Sequence, residues 1–433
     1  MKNLYGHIQQ EDKEVYDTIE GEEKREREGL ELIPSENYVS MAVREAMGSV
    51  FTNKYSEGFP GKRYYGGQEF TDQVETLAIE RAKKLFGADH ANVQPLGGAA
   101  ANIAAYFAWM DPGDTILGMD LGHGGHLTHG APVTYMAKLF RFVRYKMKNA
   151  DTGEIDYDAL RETALTEKPK IILGGFSAYP RELDWQRISD IAKEVGAVAM
   201  ADVAHIAGLI AGGVAKNPFD YGFQIMTTTT HKTLRGPRGG MILSKGVVSN
   251  PMKAPEKTIE NLPTLIDRSV FPGFQGGPHE HQIAAKAVAF GEALRPSFKI
   301  YAAQIVKNAK AMEKAFLDNK VRLLTGGTSN HLLLADVWSS LQLGGKDAED
   351  LLNSVGITLN KNSIADDTRK PFDPSGIRFG TPAITTRGFK EKECARVAEL
   401  MIDVLKNREA AVPNARQEIQ KLAEAHPVPE SFA

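Results

Sequence analysis

Short apolar runs alternate with helical patterns from about residue 30 to about residue 290 of this chain. The runs cover residues 115–119, 171–173, 197–201, 224–230 and 240–243. Such runs predict buried strands, and buried strands that are separated by helices form a mostly parallel sheet. The predicted fold class is therefore α/β, with a mostly parallel central sheet flanked by helices and with function at the carboxyl ends of its strands.

One helical pattern is clear enough to predict a buried face. The apolar side chains of residues 71–86 recur at helical spacing, and Gly87 follows as a stop signal. We expect one face of this helix to pack against the core. This face consists of Val74, Leu77, Ala78, Ala82 and Leu85.

The chain has 433 residues, which allows two or three domains at about 150 residues each. Residues 1–30 contain a charge run and predict a solvated N-terminal helix or arm. Residues 31–295 carry the alternating pattern and predict a large domain. After a polar break at Pro296, a helix, an apolar run and another helix predict a smaller α+β domain over residues 296–433.

Charge and composition exclude several classes of protein. Lys and Arg number 52 against 55 Asp and Glu, so no basic field favours nucleic acid as a partner. Residues 138–148 mix basic and aromatic side chains, which suits either an RNA contact or a partly exposed edge strand, and the acidic balance favours the edge strand.

The single cysteine, Cys394, excludes an intrachain disulfide, and the N-terminal residues lack the apolar core of a signal peptide. The best candidate for a membrane span, residues 195–215, contains Asp202 and His205 near its middle. A carboxylate at that depth costs roughly 3 kcal/mol or more. We therefore expect a cytoplasmic protein with no membrane partner, in which this stretch is a buried strand.

Lys232 is the first residue with a chemical signature. It follows four threonines, which suit a strand, and precedes a run rich in Gly and Pro that forces a turn. Lys232 is therefore presented at a strand end, near cationic neighbours such as Arg238. A lysine in that position has a depressed pKa and can act as an imine-forming amine. The alternative is a surface lysine in a Gly-rich loop.

Asp202 ends the apolar stretch about one helix-plus-strand unit before Lys232, so the two residues can lie on neighbouring strand ends. A buried aspartate needs a cationic partner. The protonated ring nitrogen of pyridoxal phosphate would serve, and this cofactor needs both a lysine and such an aspartate. The alternative role for Asp202 is a helix cap.

Two glycine-rich segments are less specific. Gly97, Gly98 and Ala99 precede a predicted helix, whose free N–H groups would bind a phosphate, although any tight strand–helix turn looks the same. The histidines at 123, 126 and 129 are interrupted by glycines and have no cysteine beside them, so we expect no metal site. A ring stacked on a planar cofactor is the better role for one of them.

Many segments, in the same order, resemble the serine hydroxymethyltransferases, a family of fold-type-I pyridoxal-phosphate enzymes. The resemblance runs from about Glu31 to Phe389. It is carried by residues 35–37, 55–67, 123–130, 177–179, 202–205, 227–240, 271–278, 360–362 and 376–378.

The resemblance implies a role for each matched residue. Lys232 would carry the internal aldimine, Asp202 would pair with the pyridine nitrogen, and His126 would stack on the ring. The implied cofactor residues are Tyr55, Gly97, Gly98, Ala99, His126, Ser177, Asp202, His205, His231, Lys232, Gly276 and Gly277.

The resemblance further implies a substrate-carboxylate site formed by Ser35, Tyr65 and Arg378, whose planar guanidinium suits a carboxylate. Glu57 would handle protons at the serine hydroxyl or the folate. The implied catalytic residues are Lys232, Glu57, His205, Tyr65 and Thr229, and the implied folate residues are Glu57, Tyr64, Leu121, Gly125, Leu127 and Asn362.

The implied reaction converts L-serine and tetrahydrofolate reversibly into glycine and 5,10-methylenetetrahydrofolate. Tyr55, Gly276 and Gly277 would reach the phosphate of a neighbouring subunit, so the implied partner is a second copy in an obligate homodimer with shared active sites, with a tetramer as the alternative. The rival functions are an aldol-cleaving enzyme of the same fold, which has no need of the folate residues, and a cofactor- or RNA-binding protein without catalysis.

One segment departs from the family. The family usually has Ser-Gly-Ser where this chain has Gly97-Gly98-Ala99, so two hydroxyls are missing from the phosphate site. Each lost hydrogen bond to a charged acceptor is worth roughly 1.5–3 kcal/mol, which predicts weaker cofactor binding unless other groups compensate.

Overall fold

The fold contains a central sheet of seven strands. The structure is a computed structural model that describes residues 5–246 and 257–429. Residues 1–4 of the predicted arm, residues 247–256 of the predicted large domain and residues 430–433 of the predicted C-terminal domain lie outside this part. The spatial order of the strands is His90–Asn92, Gly240–Ser244, Ile225–Thr229, Val198–Asp202, Ile171–Gly175, Thr115–Met119 and Arg141–Tyr145. Gly240–Ser244 runs antiparallel to its neighbours, and the other described pairings in this sheet are parallel. The predicted mostly parallel sheet is confirmed.

The strands read as continuous apolar runs because both faces of the sheet are buried. Ile171 and Leu173 point into one hydrophobic core, which includes the helix Gly98–Trp109, whereas Ile172 between them points into the opposite core. Within the described residues, the α-helices are Gly6–Glu11, Lys13–Glu28, Met41–Met47, Glu69–Phe86, Gly98–Trp109, Met136–Leu139, Tyr157–Glu167, Trp185–Val195, Ala207–Ala211, Leu262–Arg268, Glu280–Ala293, Pro296–Asp318, Val337–Leu341, Gly345–Ser354, Pro382–Thr386, Glu391–Asn407 and Val412–Ala425.

The helix Glu69–Phe86 ends at Gly87 in the left-handed conformation, as its sequence predicts, but its predicted buried face is partly wrong. Leu77 is exposed, whereas Glu75 is buried. Glu75 is buried because it pairs with Arg63 and accepts a hydrogen bond from Gln94, so a charged side chain occupies a core position. The buried face of the helix consists of Thr71, Glu75, Ala78, Ala82 and Phe86.

The C-terminal part of the chain has its own hydrophobic core. An antiparallel sheet of Leu332–Asp336, Gly376–Gly380 and Asn360–Asn362 packs with several helices around side chains such as Phe316 and Phe379. The short strand Leu30–Glu31 pairs with Ile357–Thr358 and contributes Leu30 to this core. The domain boundaries at residues 30 and 295 stay a prediction.

Two sequence segments with alternative interpretations have clear structures. Arg141–Tyr145 forms an edge strand of the central sheet, as predicted. Residues 195–215 contain the buried strand Val198–Asp202 and the helix Ala207–Ala211. Within residues 5–246 and 257–429, no helix combines the length and apolar character needed to cross a bilayer.

The parallel register places chemically active residues at one edge of the sheet. Asp202 is the last residue of its strand and lies beside Gly175 and Thr227 on the neighbouring strands. Ser177 and Lys232 follow these two neighbouring strands, and they therefore emerge at the same edge. The sheet topology alone brings together residues that are far apart in the sequence.

Candidate active site

A cleft of about 720 Å³ opens at the carboxyl edge of the sheet. Most of the predicted site residues line it: Ser35, Gly97, Gly98, Ala99, Leu121, Gly125, His126, Leu127, Ser177, Asp202, His205, Thr229, His231, Lys232, Asn362 and Arg378. Both the large predicted domain and the C-terminal part contribute to this lining. A different set, consisting of Tyr55, Glu57, Tyr64, Tyr65, Gly276 and Gly277, does not line the cleft of the same chain.

Asp202 is held as a buried carboxylate by three donors. Asn102 Nδ2 at 2.8 Å and His129 Nε2 at 3.0 Å both donate to Oδ2, and the backbone N–H of Ala204 donates to Oδ1 at 3.1 Å. Burial alone would raise the pKa of Asp202, but the hydrogen bonds from His129 and Asn102 hold that pKa well below its ordinary range. Asp202 is therefore ionised at neutral pH.

The orientation of His129 follows from its second hydrogen bond. Its Nδ1 accepts the backbone N–H of His126 at 3.2 Å, so the ring proton lies on Nε2 and points at Asp202. Oxygen and nitrogen atoms of His126, His129 and Asp202 lie within 4.8 Å of one another, as in some metal sites. In this group, the carboxylate of Asp202 accepts its hydrogen bonds from Asn102, His129 and the backbone of Ala204.

Lys232 lies in the cleft at the turn that follows strand Ile225–Thr229. Asn37 fixes this turn, because its Nδ2 donates to the Lys232 carbonyl at 3.0 Å. Burial lowers the pKa of Lys232 to about 8; Asp202 opposes this shift, whereas Arg378 and Arg238 add to it. An amine with this pKa has a substantial neutral fraction near pH 8 and is a competent nucleophile.

His126 and His205 are neutral rings inside the cleft. Burial lowers the pKa of His126 to about 4 and holds the pKa of His205 well below its ordinary value. His205 Nδ1 lies 3.2 Å from Nε2 of His331, a buried histidine that sequence reasoning missed. Neutral rings suit stacking on a planar ligand and hydrogen bonding to a phenolic oxygen.

The segment from Gly97 to Ala99 forms the start of helix Gly98–Trp109 and presents its free N–H groups to the cleft. A Cβ on Gly98 would lie 2.8 Å from Thr229 Cγ2, so the helix approaches the strand as closely as it does because residue 98 is glycine. Beside this turn, Nδ1 of His231 is buried and has no hydrogen-bond partner. An anion in the cleft would meet the free N–H groups of this helix start.

Arg378 closes the opposite side of the cleft from strand Gly376–Gly380. Its Nη1 donates to the Ser177 carbonyl at 2.7 Å, and its Nε donates to Asn360 Oδ1 at 3.1 Å. Burial lowers the pKa of Arg378 to about 10, so the guanidinium stays charged at neutral pH. A partly buried guanidinium that two hydrogen bonds hold in place suits a carboxylate ligand.

The residues that do not line the cleft form a second group, which we call the exposed loop cluster: Tyr55, Glu57, Tyr64, Tyr65, Gly276 and Gly277. The Tyr55 hydroxyl donates to Glu57 Oε1 at 3.3 Å, and the rings of Tyr55 and Tyr65 lie 5.2 Å apart. The buried Arg63 fixes the loop, because it donates to the carbonyls of Ser56 and Gly58. The cluster is thus a hydrogen-bonded surface that carries exposed tyrosines.

Sequence reasoning missed several residues of the site. Asn102 and Tyr106 lie one turn apart on an Ala-rich helix. Asn102 donates a hydrogen bond to the Thr128 side chain, and the Tyr106 hydroxyl donates one to the Thr128 carbonyl. Their helical spacing was the available signal, since they are the polar side chains of an otherwise apolar helix. Lys361 also lines the cleft, where it pairs with Glu349 at 2.7 Å.

Lys232, with its lowered pKa, and the ionised, buried Asp202 follow neighbouring strands of the parallel sheet. They lie in one cleft with a helix start that has free N–H groups. These features indicate the class of the protein. It is a pyridoxal-phosphate-dependent enzyme of fold type I. The sequence model of the family described as "Serine hydroxymethyltransferase" matches residues 8–401. The chain belongs to this family, whose members are one-carbon transferases that use pyridoxal phosphate as cofactor and tetrahydrofolate as co-substrate.

Proposed function

We propose that this cleft binds pyridoxal phosphate through Lys232 and transfers the hydroxymethyl carbon of L-serine to tetrahydrofolate. The observation that carries the proposal is that Lys232 and Asp202 line the same cleft. Lys232 has a lowered pKa, and three hydrogen-bond donors keep Asp202 ionised. Fold and family agree with this reaction.

The residues present fit the cofactor. The unpartnered Nδ1 of His231 and the N–H groups at Gly97–Ala99 suit the phosphate, and His126 and Ala204 line the space for a flat ring. When bound, pyridoxal phosphate supplies an electron-withdrawing ring that is conjugated with the amino group of the substrate, which weakens the bonds at its α-carbon.

The residues of the chain then have distinct tasks. Lys232 would bind the cofactor through its amine, and Asp202 would hold a proton on the ring nitrogen because its carboxylate stays charged. Arg378 and Ser35, which also line the cleft, would orient the substrate carboxylate, and His205 and Ser177 would bind the phenolic oxygen of the cofactor. Leu121 and Leu127, both about half exposed, would offer an apolar surface to a pterin, and Asn362 in the same cleft would offer a polar amide.

We further propose that the exposed loop cluster completes the cleft of a second copy in a homodimer. The support is that Glu57 and Tyr65 are outside the cleft of their own chain, although Arg63 holds their loop in a fixed shape. Exposed aromatic side chains such as Tyr55, Tyr64 and Tyr65 are typical of a protein interface. A cytoplasmic location is also proposed, which the free and buried thiol of Cys394 supports.

Serine turnover with and without tetrahydrofolate tests the proposed reaction. We expect glycine to form from L-serine at a rate that depends on tetrahydrofolate, because the released one-carbon unit needs an acceptor. Glu57→Gln should lose this folate-dependent rate while keeping the absorbance of the bound cofactor. Turnover that ignores tetrahydrofolate, or that prefers threonine or α-methylserine, would instead indicate the aldol-cleaving rival.

A further inference from the structure

Lys286 is a buried lysine on helix Glu280–Ala293, outside the cleft lining, and the proposed reaction does not use it. Its Nζ donates to three backbone carbonyls: Val93 at 2.6 Å, Gly240 at 2.9 Å and Pro95 at 3.1 Å. An ammonium has three N–H donors, and all three are satisfied here. The geometry is thus matched to the charged form of the side chain.

These three carbonyls belong to the two segments that shape the phosphate end of the cleft. Val93 and Pro95 follow strand His90–Asn92 and lead into Gly97, and Gly240 begins the neighbouring strand. The two segments also bond directly, since the Gly240 N–H donates to the Pro95 carbonyl at 2.9 Å. A Cβ built on Gly240 would lie 2.5 Å from the Gly97 carbonyl oxygen, so the segments are in close contact.

The ammonium also lies directly behind the cleft wall. A Cβ on Gly239, which lines the cleft, would lie 2.9 Å from Lys286 Nζ. Burial lowers the pKa of Lys286 to about 7, and the carboxyl groups of Glu75 and Glu280 oppose this shift. A dianion in the cleft would favour the charged form of Lys286 further, because its negative charge would lie on the other side of the same glycine backbone.

We infer that Lys286 is a positioning residue for the cofactor phosphate: it ties the 93–97 segment to the 239–240 segment and places a positive charge beneath the phosphate site. This role offers a physical reason why the site can function with Gly97-Gly98-Ala99, which lack side-chain hydroxyls. Backbone donors bind an anion well when their segment is fixed and the charge nearby is positive rather than negative. Lys286 fixes the segment through its hydrogen bonds and supplies the positive charge, without contacting the ligand.

This inference rests on the proposed cofactor site, and the test separates the two. The apoprotein forms of wild type and Lys286→Met are titrated with pyridoxal phosphate and with pyridoxal, which lacks the phosphate. We expect Lys286→Met to lose roughly 10- to 100-fold in affinity for pyridoxal phosphate, the equivalent of one charged hydrogen-bonding group, with little change for pyridoxal. Inorganic phosphate should compete with pyridoxal phosphate on wild type and much less on the variant.

Glu292→Gln is the matched control, because Glu292 is a buried polar residue on the same helix that accepts a hydrogen bond from Ser40 at 2.6 Å. It should lower the melting temperature without selecting between the two ligands. Lys286→Arg, which keeps the charge, should recover part of the preference for the phosphate, and Lys286→Gln replaces the methionine variant if that protein does not fold. An equal loss for both ligands would overturn the inference, whereas failure of wild type to bind pyridoxal phosphate would overturn the proposed function instead.

Discussion

Asp202→Asn should lower serine turnover by at least roughly 100-fold, because it removes the buried charge that keeps a proton on the cofactor ring. The carboxylate accepts hydrogen bonds from Asn102 and His129 at Oδ2 and from the Ala204 N–H at Oδ1. An amide can satisfy the first two donors with its oxygen, but its NH₂ group then faces the Ala204 N–H. The variant should therefore bind the cofactor more weakly and leave its ring nitrogen unprotonated.

Asp336→Asn provides the matched control for the loss of a buried aspartate. Asp336 is equally buried, but it lies in the C-terminal part, pairs with Arg322 at 2.6 Å and caps the helix that begins at Val337. Its replacement should lower the melting temperature and leave kcat near the wild-type value. Comparable kcat values for Asp202→Asn and wild type, measured at saturating cofactor, would show that Asp202 has only a structural role.

Two inactive homodimers should form an active hybrid if the exposed loop cluster serves the neighbouring cleft. Lys232→Ala damages the cleft of its own chain, whereas Glu57→Gln damages the cleft of the partner. In the heterodimer one site collects both defects and the other site has none. We expect coexpression and isolation of the heterodimer to restore up to about half of the wild-type activity per dimer.

A second hybrid supplies the control for subunit exchange and for residual activity. Lys232→Ala and Asp202→Asn both lie in the cleft of their own chain, so their heterodimer contains two damaged sites and should stay as inactive as its parents. Recovery in this hybrid would indicate contaminating wild-type protein. Absence of recovery in the Glu57→Gln hybrid would place Glu57 and Lys232 of one site on one chain.

The central sheet was predictable because its physical cause is visible along the chain. Strands buried on both faces must be apolar throughout, and runs such as 115–119 and 197–201 show this directly. The parallel topology then explains why Asp202 and Lys232 line one cleft, since their neighbouring strands end at the same edge of the sheet. Local composition and one topological rule were sufficient for this part of the site.

The buried polar network was not predictable in the same way. Glu75 and Lys286 occupy core positions because specific partners, Arg63 for one and three backbone carbonyls for the other, satisfy them. Likewise, His129 holds Asp202 although its spacing to His126 had suggested only a metal ligand or a stacked ring. Such partners are distant in sequence, and hydrophobic periodicity carries no information about them.

Borohydride reduction of the protein saturated with pyridoxal phosphate, followed by peptide mapping, tests most directly that Lys232 holds the cofactor. Lys361, which lines the same cleft in an ion pair with Glu349, and Lys286, which lies behind its wall, serve as internal comparisons. We expect the pyridoxyl group on the peptide that contains Lys232 and on no other. A label on Lys361 or Lys286, or no label at saturating cofactor, would contradict the assignment of Lys232.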